Sequence, residues 1–178
     1  VAAYLLMGDW YADLKEDYGQ AIPWYAKYMA MRPDDPEGRR RLSAAYLKAK
    51  DYDRVLETLL TFVQEHRDAV EVMPIAAQAC VKQEKLDMAS SFYRAYISRL
   101  NLEDRALYED VSLIASKEEV ADYARTSGAE REVFLRRFWS GRDPDLSTPV
   151  NERLLEHYRR VWYARQTFSK GRQPWDRR

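Results

Sequence analysis

Ala21, Val55 and Ala89 stand 34 residues apart and occupy the same point of three similar segments. Tyr25, Leu59 and Tyr93 repeat at that spacing, and so do Tyr28, Phe62 and Tyr96. A period of 34 residues carrying small and aromatic side chains in turn reads as stacked helical hairpins. Each hairpin buries one face against the next, and the stack presents an extended surface suited to binding rather than to catalysis.

The segments can be laid in register as about 2–35, 36–69 and 70–103. In the second, Leu42, Tyr46, Val55, Leu59 and Phe62 take the apolar positions of two paired helices, with Lys50-Asp51-Tyr52-Asp53 as the turn. In the third, Ala76, Ala77, Cys80, Ala89, Tyr93 and Tyr96 do so. The first has Gly8, Tyr11, Tyr18, Ala21, Tyr25 and Tyr28. Its first helix is offset by one residue, which predicts an inter-helix turn one residue longer around Glu16–Gly19. Small residues at 21 and 89 let paired helices approach, and the aromatics one turn later fill the space between hairpins. Pro33 and Pro36 stop one helix and separate the first segment from the second. Pro74 is expected in the first turn of its helix, where a missing N–H costs nothing.

This pattern resembles the tetratricopeptide repeat family, on Gly8 and Tyr11, Tyr46 and Tyr52, Ala21 and Ala89, Tyr25 and Tyr93, and Pro33. Ser43 and Ala77 stand where the family has a small Gly, and Val55 replaces an Ala. The resemblance covers about residues 2–103 and implies an all-α fold, a right-handed solenoid of about three helical hairpins followed by a C-terminal helical segment. In such stacks the first helices of each pair line a concave groove. The corresponding positions are Leu5, Asp9, Ala12 and Asp13, then Arg40, Ala44, Leu47 and Lys48, then Gln78, Val81 and Lys82. The set lacks the Lys/Asn clamp that grips a partner's C-terminal carboxylate, so an extended peptide or a partner's helix is the expected ligand.

Residues 104–126 read as covering helices. Leu107, Val111 and Ile114 are spaced like one helix face within 102–116, and 117–125 reads as a further short helix. Ser127-Gly128 breaks the chain. A helix over 129–139 pairs Phe134 with Phe138 and Leu135 with Trp139. Thr148-Pro149 then reads as a hydroxyl cap with proline at the first helical position, starting a helix to about Ser169.

Within 127–178 the run Phe138-Trp139-Ser-Gly-Arg142-Asp143-Pro144-Asp145-Leu-Ser-Thr148-Pro149-Val-Asn151-Glu152-Arg153 precedes Arg160-Val161-Trp162-Tyr163-Ala164. It resembles the start of the GWxTD domain family of bacterial proteins, often joined to tetratricopeptide repeats. The naming motif is met only in part by Gln173-Pro174-Trp175-Asp176, and the family's β-rich continuation does not follow. The chain opens on Val1 without an initiator Met or a basic leader. It therefore reads as a mature or partial product, and its GWxTD-like segment as incomplete. Physically, Asp143 is expected to receive a bidentate Arg, Arg153 or Arg160, fastening the loop to the following helix. The competing reading is an acidic site of Asp143, Asp145 and Glu152, which has no further ligand spaced to complete it.

Twenty-nine basic and 29 acidic residues balance, which argues against a generic nucleic-acid binder. The charge is uneven: residues 149–178 hold eight basic and three acidic residues, net +5. Trp162, Arg165, Arg172, Trp175, Arg177 and Arg178 make that end an aromatic, basic docking face. Cys80 is alone, so no intramolecular disulfide forms, and it falls at a helix-packing position. No apolar run is long enough to span a bilayer. His66 and His157 lie in helical surroundings with no nucleophile pattern beside them. Phosphate-loop and metal-ligand spacings are absent. No cofactor, metal or enzyme activity is expected.

The two resemblances together imply a non-catalytic protein–protein interaction scaffold of a bacterial envelope protein, in the periplasm or cell envelope and peripheral to the inner membrane, binding a partner through the repeat groove and the aromatic, basic C-terminal face. One alternative is an accessory structural subunit of a bacterial membrane complex, such as a respiratory or photosynthetic assembly. The other is part of an enzyme whose site lies in a C-terminal region outside this sequence.

Overall fold

A computed structural model describes residues 1–168. All regular structure there is helical: α1 (Ala2–Asp9), α2 (Tyr18–Met31), α3 (Pro36–Lys48), α4 (Tyr52–Glu65), α5 (Met73–Lys82), α6 (Leu86–Ser98), α7 (Leu102–Glu109), α8 (Lys117–Arg125), α9 (Gly128–Ser140) and α10 (Glu152–Phe168). The contacts divide the chain into two compact units, Val1–Tyr96 and Ile97–Arg178.

In the first unit α1/α2, α3/α4 and α5/α6 follow one another as helical pairs. Between pairs, α2 packs on α3 and α4 on α5, and the first helices α3 and α5 also touch. This is a helical-repeat solenoid. The small residues the period singled out, Ala21, Val55 and Ala89, are all fully buried, with Tyr25, Leu59 and Tyr93 beside them. Each large side chain so buried stabilises the stack by about 1.5–3 kcal/mol. Gly8 is where α1 meets α2: a Cβ there would lie 2.3 Å from Cε1 of Tyr25. Gly38 does the same between pairs, against the ring of Tyr28. Pro74 stands in the first turn of α5, as its chemistry requires.

The turns repeat as closely as the helices. Glu16, Lys50 and Glu84, 34 residues apart, all have left-handed backbone, with φ of 51°, 63° and 58°. In the second and third pairs the next N–H closes the helix end: Asp51 N donates to Tyr46 O and Lys85 N to Cys80 O, both at 2.9 Å. The same residue of the first two turns caps the following helix. Asp17 accepts from Gln20 N at 3.0 Å and Asp51 from Arg54 N at 3.3 Å.

The extra residue of the first segment does not lengthen the turn at 16–19. It is absorbed inside the first helix, which widens into a π-helical turn over Trp10–Leu14. Asp17 N consequently bonds Tyr11 O, six residues back rather than five. A one-residue insertion into a helix is accommodated in this way without breaking its hydrogen-bond ladder.

The second unit has its own core of Val111, Phe138 and Trp139, with Tyr123, Phe134, Leu135 and Leu154 packed around it. Two sequence expectations are corrected. The face over 102–116 is not one helix: α7 ends at Glu109, because the Asp110 carboxylate takes Ser112 N at 2.8 Å and turns the chain. Ser116 then starts α8 with a reciprocal capping box through Glu119. Nor does Thr148 cap the last helix. Asn151 does, accepting from Leu154 N at 2.8 Å, while the Thr148 hydroxyl donates to Glu152 at 2.8 Å. Asn151 is also fixed by its own amide, which donates to Trp139 O at 2.7 Å.

Candidate binding cleft

The first helices of pairs one and two enclose a cleft of about 300 Å³ lined by Asp9, Ala12, Asp13, Tyr18, Tyr25, Arg40, Arg41, Ala44, Ala45 and Lys48. The helical period places these residues together. Asp9, Ala12 and Asp13 recur at i, i+3 and i+4 on the first helix, and Arg40, Ala44 and Lys48 at i, i+4 and i+8 on α3.

Most of the charge in the cleft is spent internally. Asp9 accepts from the Tyr25 hydroxyl at 2.8 Å and pairs with Arg41. Glu37 receives Arg40 twice, at 2.7 Å and 2.7 Å, and Arg41 Nε at 2.7 Å. Those bonds, from Arg40 first, hold the Glu37 carboxyl down to about 2. Burial, and then the bond to Asp9, raises the Tyr25 phenol. Among the described residues, Asp13 and Lys48 have no ion-pair partner. They are the exposed charges the cleft can offer a ligand: a carboxylate on one wall and an ammonium on the other.

Of the positions expected to line a groove, the cleft brings together Asp9, Ala12, Asp13, Arg40, Ala44 and Lys48. Leu5, Leu47, Gln78, Val81 and Lys82 lie outside it. Gln78 is buried on α5, and its amide donates to the Tyr93 hydroxyl at 2.6 Å. The sequence reading missed Tyr18, Tyr25, Arg41 and Ala45. Arg41 had a signal, since it lies four residues beyond Glu37 on one helix face.

In the second unit, Trp162 is half-buried and Arg165 is half-buried and bonded to Asp104 at 2.6 Å. Arg172, Trp175, Arg177 and Arg178 lie outside the described residues. The pairing expected of Asp143 is not the one formed. Arg160 Nε donates to Glu156 Oε1, one turn away, at 2.6 Å. Among the described residues no ion pair reaches Asp143 or Arg153. Arg142 fastens this loop instead: it bonds both oxygens of Glu119 at 2.8 Å and stacks 3.6 Å from the Phe138 ring centroid. Asp145 is likewise satisfied locally, by Ser147 N and Oγ at 2.9 and 2.6 Å.

Neither histidine faces a nucleophile. His66 stacks on Phe62 at 4.2 Å. His157 packs on Trp139 and bonds Tyr108 O at 3.0 Å, and burial lowers its pKa. Burial pushes the Cys80 thiol up to about 11. Among the described residues no group of three or more His, Cys, Asp or Glu is placed to hold a metal ion. Among them, too, no helix is long and apolar enough to cross a membrane.

Repeated hairpins, a period of 34 residues and a cleft between successive first helices give the first unit a helical-repeat solenoid fold of tetratricopeptide type, and repeats of that type commonly bind other proteins and are generally non-catalytic. The family described as anaphase-promoting complex, cyclosome, subunit 3, a tetratricopeptide-like repeat family, matches residues 15–96, the first unit without its first helix. No curated protein matches the chain.

Proposed function

We propose that the chain is a non-catalytic interaction scaffold whose first unit binds a segment of a partner protein in the cleft between α1 and α3. The observation that carries this is the division of charge within the cleft. Asp9, Arg40 and Arg41 are consumed in holding the walls together, whereas Asp13 and Lys48 are left for a ligand. A partner segment with a basic residue toward Asp13 and an acidic one toward Lys48 satisfies both. Exposed charges of this kind steer and orient a partner more than they add affinity.

The test is capture of partners by the full chain and by Asp13→Lys/Lys48→Glu, identified by mass spectrometry at moderate salt. Specific partners should fall by about tenfold or more with the double variant. Unchanged capture would remove the cleft from consideration.

For the setting, we propose a bacterial envelope protein, periplasmic and peripheral to the inner membrane, with the second unit GWxTD-like. Phe138, Trp139, Arg142 and Asn151 support this reading, since these residues of the resemblance also form one packed, hydrogen-bonded group. The net charge of +5 over residues 149–178 favours a second reading, an accessory subunit docked on a membrane complex. Purification from detergent-solubilised native membranes distinguishes the two: an accessory subunit comes away with its membrane complex, and a peripheral envelope protein outside any complex does not.

A further inference from the structure

Arg142 is taken by Glu119, whereas the next side chain, Asp143, lines a cavity of about 340 Å³ within the second unit. The cavity lies between the ends of α7 and α9, the loop that follows α9 and the start of α10, and all its lining residues fall within 108–158. Two bonds join α10 and its N-cap to the helices around this space: the Asn151 amide donates to Trp139 O at 2.7 Å, and His157 bonds Tyr108 O at 3.0 Å. Tyr108, Trp139 and Tyr158 give the cavity aromatic walls, with the two tyrosine rings 6.2 Å apart and inclined at 62°. Leu135 and Leu154 add an aliphatic lining. Two carboxylates, Glu109 and Asp143, border the same space, and both are half-buried. Among the described residues neither has an ion-pair partner. Asp143 keeps one long contact, accepting from Asp145 N at 3.3 Å, which leaves its second oxygen unused. Carboxylates that lose part of their water without gaining a cation are held at a cost, and an incoming cation relieves it. Arg136, the one basic side chain of the lining, is exposed, so its charge is screened by solvent.

We propose that this cavity binds an alkylammonium group, with its charge between Glu109 and Asp143 and against the aromatic rings, and its methylenes along Leu135 and Leu154. The aromatic walls favour an organic cation, since ring faces attract an ammonium that has shed part of its water. A metal ion fits the donors poorly: two carboxylates fall short of the oxygen ligands it needs, and no third acidic, His or Cys side chain among the described residues completes a set. A space of about 340 Å³ is at the small end of ligand sites and suits one side chain or a small amine. The same chemistry is offered by a free amine and by a lysine in a partner's chain. The site gives Asp143 a role that its slight part in holding the loop does not, and it is independent of the cleft in the first unit.

The probes are n-pentylammonium and the blocked peptide Gly-Gly-Lys-Gly-Gly, with n-pentanol as the neutral control. Each is titrated into the isotope-labelled full chain and followed by amide chemical shifts. At least one of the two cations is expected to saturate at roughly millimolar concentration and to shift the amides around Trp139 and Asp143, and the tighter of the two identifies the source. Pentanol should bind about fivefold more weakly. Glu109→Gln and Asp143→Asn keep the shape and remove a charge, so each should weaken the cation by about fivefold and leave pentanol unchanged. Arg136→Ala should bind the cation at least as tightly as wild type, and Asp13→Asn, in the cleft of the first unit, should bind like wild type. Unchanged pentanol binding also shows that a variant has kept its fold. No saturation by either cation, equal binding of pentanol, or undiminished cation binding by either carboxamide variant overturns the proposal. So does weaker binding by Arg136→Ala, which makes that guanidinium part of the recognition, or loss of binding on Asp13→Asn, which places the cation in the cleft.

Discussion

Asp9 on α1 and Arg41 on α3 form an ion pair between the first helices of successive hairpins, and the same Asp9 carboxylate accepts the Tyr25 hydroxyl of α2 at 2.8 Å. One side chain thus ties three helices together at the back of the cleft. Both charged groups are less than one-third exposed, so the pair is screened less than a surface pair. A double-mutant cycle on Asp9→Ala and Arg41→Ala is expected to give a coupling of about 1 kcal/mol by urea denaturation. Asp9→Ala also removes the acceptor of the Tyr25 hydroxyl, whereas the Arg41 guanidinium keeps its bond to Glu37.

Gly8 and Gly19 lie in consecutive helices, yet alanine should act oppositely at the two. At Gly8 the new Cβ meets the buried Tyr25 ring, which its bond to Asp9 holds in place, so Gly8→Ala should lose about 1–3 kcal/mol. At Gly19 the nearest atom is 3.4 Å away, and Gly19→Ala should gain up to about 1 kcal/mol through helix propensity. Equilibrium unfolding of the two variants separates a steric glycine from a dispensable one.

Lys50 and Glu84 adopt a left-handed backbone that L-residues enter at a cost of about 1–2 kcal/mol. Glycine removes that strain but loosens the unfolded chain by about 0.4–1 kcal/mol. Lys50→Gly and Glu84→Gly should therefore each raise stability, by roughly 0.5–1 kcal/mol. A fall in the urea midpoint would mean that the side chains contribute more than the backbone loses.

Glu37 gives the first unit an acid limit. Its folded pKa of about 2 lies below the ordinary 4.5, so its contribution is complete above pH of about 4.5 and is lost as the pH falls toward 2. Glu156, held to about 2 by Arg159 and then Arg160, gives the second unit the same dependence. Melting temperatures should drop between pH 5 and pH 2–3 in the wild type. Glu37→Gln should show a smaller drop over that window, although it is less stable at neutral pH.

Arg142 and Asp143 are neighbours with unequal roles. Arg142→Ala removes two bonds to Glu119 and a close stack on Phe138, and should cost about 1–3 kcal/mol. Asp143→Ala loses a single 3.3 Å contact with Asp145 N and should change stability by under about 0.5 kcal/mol. Thermal denaturation of the two variants would invert this order if Asp143 were the anchor.

The repeat architecture was legible in the residues themselves. Ala21, Val55 and Ala89, with the rows of large side chains four and seven positions on, determine which faces bury, because a 3.6-residue helical turn sets these positions on one side of the helix. The helix from Lys117 to Arg125, the position of Pro74 and the burial of Cys80 follow from local chemistry as well. Only the tertiary structure decided how competing local partners were shared. Two carboxylates and two arginines meet at Asp9, Glu37, Arg40 and Arg41, and Arg160 takes Glu156 rather than Asp143; spacing alone does not say which carboxylate each guanidinium takes. Packing decides it, by setting which pairs share a helix face and which meet across one. The same holds for the one extra residue of the first hairpin. Its presence is a matter of counting, but whether it widened the turn or the helix depended on keeping Gly8 against Tyr25 while the turn at Glu16 kept its left-handed form. The Gly8–Tyr25 contact joins two helices, and a π-helical turn between it and the turn at Glu16 is the arrangement that satisfies both.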